Sequence, residues 1–157
     1  MRVELSSPQA TRNLGTKLAD VVQPGDLIIL SGDLGAGKTT LTQGLAQALG
    51  VEGGVSSPTF VIARSHPGRI PLVHVDAYRL TSLAEVDDLD LDSNLEDSVT
   101  VVEWGEGKVE DLSSNRLEIT LVRPRGMDEH GRYAIIHAVG PRWEGKDLSF
   151  LAQDPSQ

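Results

Sequence analysis

Residues 32–39 read Gly-Asp-Leu-Gly-Ala-Gly-Lys-Thr and fit G-x-x-x-x-G-K-[S/T]. A phosphate group needs several N–H donors converging on it, and a backbone supplies them only where glycines let it curl without Cβ clashes. Gly32, Gly35 and Gly37 give that freedom, with Asp33, Leu34 and Ala36 between them and Thr40 just beyond. Lys38 adds a point charge for the β- and γ-phosphates, and the Thr39 hydroxyl is placed to ligate Mg²⁺. The unpaired N–H groups of the helix expected to start here add donors and partial positive charge. Such a site also needs acid beside the metal. Asp76 closes Leu72-Val73-His74-Val75 and Glu103 closes Val99-Thr100-Val101-Val102. Both carboxylates stand past an apolar run, at the sheet edge where open α/β folds bind ligands. One can hold the metal through water while the other ligates it or orients the attacking water. Asp76 takes the first role; the pattern leaves Glu103 as metal ligand or catalytic base. Thr59, in Ser56-Ser57-Pro58-Thr59-Phe60, is placed like a switch residue that senses the γ-phosphate or Mg²⁺ through its hydroxyl.

These residues need a scaffold, and the chain spells one. Val3 to Leu5 reads as a short strand. Ser7 reads as an N-cap with Pro8 at the first helical position, opening a helix through about Val22 with Ala10, Leu14, Leu18 and Val21 on one face. Pro24-Gly25 turns into Asp26 to Ser31, an apolar run of the kind buried on both faces in a parallel sheet. A helix from Lys38 to about Leu49 stops at Gly50, which suits the left-handed position after a helix. Phe60 to Ser65 and Ile70 to Val75 read as a hairpin around His66-Pro-Gly-Arg69. Ser82-x-x-Glu85 is a capping-box pattern followed by Leu83, Val86 and Leu89. Val99 to Val102 is a buried-type strand, and Arg116 to Val122 with Arg132 to Val139 form a second hairpin. The tail from Asp154 is expected to fray. No repeat or linker divides residues 1–157, so the expectation is one α/β domain of the P-loop NTPase fold. Its sheet is mixed and mostly parallel, flanked by helices and carrying antiparallel hairpins.

Composition removes other chemistries. The 157 residues contain no cysteine, which excludes disulfide scaffolds, thiol catalysis, Cys-ligated zinc and iron–sulfur clusters. His66, His74, His130 and His137 are too scattered to spell a metal-binding spacing. Apolar runs such as Leu27 to Leu30 fall far short of the ~20 residues that cross a bilayer, and the first residues lack a signal-peptide core. A cytoplasmic protein with no membrane contact is therefore expected. The net charge of −9 argues against a free-standing nucleic-acid binder. Most of that charge is local: Glu85 to Asp97 holds seven acids and no Lys or Arg. That stretch is a solvated face or a docking surface for a basic partner.

Beyond the loop, the chain resembles the TsaE (YjeE) family of small bacterial P-loop ATPases. The resemblance is carried by GDLGAGKTT at 32–40, SPTF at 57–60, HVDAYRL at 74–80, VEWGE at 102–106 and QATRNLGTKLA at 9–19, and covers roughly residues 5–140. It implies ATP binding with Mg²⁺ and slow hydrolysis. It also implies action on the complex that places a threonylcarbamoyl group on adenosine in tRNAs reading ANN codons. The partners implied are the threonylcarbamoyl transferase catalytic subunit and its dimerising partner subunit, with tRNA met indirectly. Family roles fall on Lys38 and Thr39 for phosphate and metal, Asp76 and Glu103 for metal and water, Thr59 for the switch and Trp104 beside the acid. The first helix and the late hairpin approach nucleotide in this family, which makes Pro8, Thr11 and Arg132 candidates. Taken alone, each acid also reads as an ordinary strand-end charge, Trp104 as a core aromatic and Arg132 as a surface arginine closing its turn. The rival readings are a P-loop small-molecule kinase and a nucleotide-gated interaction module with negligible turnover. A Ras-like GTPase is disfavoured because no Asn-Lys-x-Asp guanine signature occurs.

Overall fold

The computed structural model describes residues 1–33, 35–51, 63–76, 96–103, 114–123 and 131–152, with 63–66 and 76 as backbone alone. Leu34, Thr59, Trp104, the segment opened by Ser82, the tail from Asp154 and all of the acidic stretch except Glu96 and Asp97 lie outside the described residues.

The described elements are β1 (Arg2–Leu5), α1 (Pro8–Leu18), β2 (Leu27–Gly32), α2 (Lys38–Ala48), β3 (Ala63–His66), β4 (Leu72–Asp76), β5 (Val99–Glu103), β6 (Arg116–Val122) and β7 (Arg132–Val139). They build a sheet in the order β1-β7-β6-β2-β5-β4-β3. The four strands from β6 to β4 run parallel. Antiparallel pairings close both sides: β3 on β4, β7 on β6 and β1 on β7. This is the mixed α/β sheet with two hairpins that the pattern predicts.

Burial follows position in the sheet. In the middle of the sheet, Leu27 to Leu30 of β2 and all of β5 are buried on both faces, as parallel central strands must be. Neighbouring β6 alternates, with Leu117, Ile119 and Leu121 inward and Arg116 paired to Glu118 on the other face at 2.8 Å. One face of the sheet carries the main core, where Ile28, Leu30, Leu72, Val99, Val101, Leu117 and Ile119 meet Leu14 and Leu18 of α1 and Leu41, Leu45 and Leu49 of α2.

Helix α1 opens as expected: Ser7 Oγ accepts from the Ala10 N–H at 3.1 Å and Pro8 takes the first position. It ends at Leu18, earlier than its hydrophobic pattern suggests. Past Leu18 the backbone tightens to i→i−3 closures, Ala19 on Thr16, Asp20 on Lys17 and Val21 on Leu18, and the Gln23 N–H then goes to the Asp26 carboxylate at 2.8 Å. Val22 still closes on the Leu18 carbonyl at 3.0 Å and is buried.

The two helices touch through glycine. A Cβ on Gly15 would stand 2.0 Å from the Leu41 carbonyl oxygen, and one on Gly44 would stand 2.0 Å from the Arg12 carbonyl oxygen. Each helix thus offers bare backbone to the other, closer than any side chain permits.

The end of the described chain is tied back by charge. Arg142 donates to Asp26 through Nε (3.2 Å) and Nη2 (3.0 Å), and Nη2 also reaches the Val21 carbonyl at 2.8 Å. Its guanidinium lies 4.4 Å from the centre of the Trp143 ring, and Trp143 and Leu151 complete the core. Among the described residues no helix is long and apolar enough to cross a membrane.

Two outcomes are expected in thermal or urea unfolding. Gly15→Ala and Gly44→Ala should each lose stability at the upper end of the roughly 1–3 kcal/mol typical of overpacking, at about 2–4 °C of Tm per kcal/mol for a chain of this size. Arg142→Ala should lose about 3–5 kcal/mol, because it leaves the buried Asp26 charge without its partner.

Candidate active site

The glycine-rich loop begins where β2, the middle strand of the sheet, ends. Its curl is built from left-handed glycines: Gly32 at φ 144°, Gly35 at φ 82° and Gly37 at φ 111°. Within the loop the Ala36 N–H closes on the Asp33 carbonyl at 3.0 Å, and Ala36 is fully buried beneath. Gly32 cannot carry a side chain, since its Cβ would meet the Leu121 carbonyl oxygen of β6 at 2.5 Å.

Gly37 caps α2 with no side-chain hydrogen bond, and no acid stands in the first turn. The helix therefore presents uncapped N–H groups and its positive dipole end at Lys38, Thr39 and Thr40. Lys38 is 5% exposed, and its ammonium donates to the Gly32 and Asp33 carbonyls at 2.7 and 3.1 Å. Thr39 and Thr40 are half-buried. Thr42, one turn on, donates to the Lys38 carbonyl at 2.9 Å and steadies the helix start.

Three side chains from elsewhere reach the loop. Thr11 of α1 is buried, with its methyl 3.3 Å from where a Cβ on Gly37 would stand, so it supports the loop from α1. Pro8 is exposed one turn earlier on the same helix. Arg132, at the start of β7, donates to the Gly35 carbonyl at 3.1 Å. The sequence reading passes over Arg123. This exposed residue follows β6 and brings Nη1 to 3.9 Å from the position of a Gly35 Cβ. Its only sequence signal is a basic residue just past an alternating strand.

The two acids arrive together. In the parallel pairing of β4 with β5, Asp76 stands opposite Glu103, and Glu103 stands opposite Leu30 of β2, two residues before Gly32. Glu103 is 4% exposed and its Oε2 meets His74 Nε2 at 2.5 Å. His74, which in sequence is one of four scattered histidines, is thus the nearest side-chain partner of a candidate catalytic acid. The Thr39 hydroxyl and the Asp76 and Glu103 carboxylates are hard oxygen donors, few in number, which suits a cation that keeps several waters. Among the described residues no group of three or more His, Cys, Asp or Glu forms a metal cluster.

A glycine-rich loop between a central parallel strand and a helix, with a lysine at the helix start and acids on neighbouring strand ends, defines the P-loop NTPase class of α/β proteins. The crystal structure of Bacillus subtilis YdiB is similar in fold, with a TM-score of 0.71 and 33% identity over 92% of this chain and 88% of that one. Residues 5–131 match the family model "TsaE: Threonylcarbamoyl adenosine biosynthesis protein TsaE". The chain belongs to the TsaE family. It is 56% identical over 146 residues to the tRNA threonylcarbamoyladenosine biosynthesis protein TsaE of Streptomyces coelicolor, covering 90% of this chain and 99% of that one. The Bacillus subtilis protein of the same name is 41% identical over 140 residues, covering 88% of this chain and 85% of that one.

The glycines separate geometry from mere composition. Gly32→Ala should destabilise by roughly 1–3 kcal/mol, because its Cβ meets backbone. Gly35→Ala has open space and should lose only the roughly 1–2 kcal/mol of a left-handed backbone. Denaturant midpoints of the two variants measure the difference.

Proposed function

We propose that this chain binds ATP with Mg²⁺ and hydrolyses it slowly in the formation of threonylcarbamoyladenosine in tRNA. The observation that carries this reading is Lys38: a nearly buried ammonium held inside the loop by two backbone carbonyls, at the uncapped start of α2. Phosphate oxygens can take over those carbonyl contacts, and the loop and helix amides would complete an anion cradle. Arg132, which braces Gly35, and Arg123 beside it place two further cations at the rim. Thr11 puts α1 against Gly37, and Pro8 stands exposed one turn earlier on that helix, consistent with a side wall of the nucleotide site.

Thr39, Asp76 and Glu103 would hold the metal or its waters. Mg²⁺, when bound, neutralises charge on the β- and γ-phosphates. Glu103, nearly buried at the strand end, is the best-placed group to orient the attacking water. Thr59 and Trp104 keep the switch and acid-flanking roles that the family resemblance implies.

Family membership supports action on the threonylcarbamoyl transferase catalytic subunit and its dimerising partner as part of this proposal. The chain's net charge of −9 fits tRNA contact made through those partners rather than by this chain alone. A cytoplasmic location accords with the same role.

The reading is tested by ATP titration and phosphate release, with and without the transferase subunits. Lys38→Ala should weaken nucleotide binding and turnover alike. Glu103→Ala and Asp76→Ala should lower turnover by about 10²-fold or more while nucleotide still binds, because the loop amides remain. Wild-type turnover in both acid variants, or phosphorylation of a small acceptor by this chain alone, overturns the proposal.

A further inference from the structure

We infer that His74 is a positioning residue that fixes the carboxylate of Glu103 at the mouth of the site. The inference rests on the reading of Glu103 as the acid that orients water or metal.

In the β4/β5 register His74 stands opposite Val101, two residues before the Asp76 and Glu103 pair. Side chains at i and j+2 on neighbouring strands share a face and lie within reach of long groups. His74 uses that reach: it is 0% exposed, and its Nε2 lies 2.5 Å from Glu103 Oε2. An ionised carboxylate can only accept, so Nε2–H is the donor to it. Among the described residues Nδ1 has no hydrogen-bond partner.

The surroundings are apolar. On the same face of the sheet as His74, Leu72 of its own strand and Val99 and Val101 of the neighbouring one are fully buried. For stability alone, a leucine at 74 would pack there without an unpaired ring nitrogen, since a buried polar atom lacking a partner costs free energy. What leucine could not do is hold Glu103. The Glu103 side chain is nearly excluded from water, and His74 is its only hydrogen-bond partner among the described residues. Without that donor the carboxylate would be drawn towards solvent, with three rotatable bonds to carry it there. Imidazole has two torsions and a planar ring packed on all sides. Oε2 is therefore pinned and Oε1 is left for water or metal, the arrangement by which outer hydrogen bonds preorganise catalytic carboxylates.

The test compares His74→Leu, His74→Gln and Glu103→Ala, singly and with His74→Leu combined with Glu103→Ala, in the full chain with the transferase subunits present. His74→Leu should lower kcat by about tenfold or more. The dissociation constant for ATP should stay within about twofold of wild type, since the loop is untouched. Its thermal midpoint should equal or exceed that of wild type. His74→Gln, which restores an N–H at similar reach, should recover most of the turnover. In the Glu103→Ala background His74→Leu should cause no further loss. A readout independent of turnover is the ¹⁵N–¹H correlation of the His74 imidazole in the apoprotein, whose Nε2–H signal should shift in a Glu103→Gln variant.

An unshifted Nε2–H signal overturns the contact. A loss of turnover equally large in both backgrounds, or one that follows ATP affinity, also overturns the inference. If Glu103→Ala loses turnover and His74→Leu does not, this inference alone fails. If Glu103→Ala turns over like wild type, the underlying reading of Glu103 fails and takes this one with it.

Discussion

The bare-backbone contact between α1 and α2 is the constraint on which the rest of the structure hangs. Gly15 sits on the Leu41 and Leu45 backbone while Gly44 sits on the Arg12 backbone. That reciprocal contact sets how far apart the helices lie over one sheet face. The distance lets Leu14 and Leu18 share a core with Leu41 and Leu45, and it brings Thr11 against Gly37 at the foot of the loop. Protein interiors are packed too tightly to absorb an added methyl here without moving a helix. Because α2 begins at the loop, moving that helix would move the phosphate cradle.

A polar counterpart works at the opposite end of β2. Asp26 precedes the strand, holds the Gln23 N–H in the turn after α1, and receives Arg142. One carboxylate thus fixes the turn that leads into the central strand and anchors the segment that follows β7. Buried ion pairs are expensive to desolvate, and this one is offset by several directed hydrogen bonds, including that from Arg142 to the Val21 carbonyl.

At the site itself, an acidic chain gathers its positive groups locally. Backbone amides, the helix end, Lys38 and the rim arginines supply the field for an anion, and long-range attraction plays no part in it. The acids stand on the neighbouring strands at the same edge, which follows from β2, β4 and β5 being parallel: their C-terminal ends must meet there. The same register that aligns Asp76 with Glu103 places His74 two residues back, within reach of the Glu103 carboxylate.

Much of this was legible in residue order, because it depends on neighbours along the chain. The loop, its Lys38-Thr39 start, the capping of α1 by Ser7 and Pro8, both hairpins and the two strand-end acids are local patterns whose geometry is decided within a few residues. Apolar periodicity carries α1 to about Val22, whereas its last turn tightens to i→i−3 bonds after Leu18, a change that leaves the same residues buried and so is invisible in the pattern. The pairing of His74 with Glu103, the clamp of Arg142 on Asp26, the approach of Arg123 to Gly35 and the glycine contact between helices join residues distant in sequence. The amino-acid sequence by itself determined which elements form and where phosphate chemistry can sit, since φ preferences, capping and alternation act over short range. Only the tertiary structure decided which side chains support that chemistry, because strand register and helix spacing are set by the packing of the whole core.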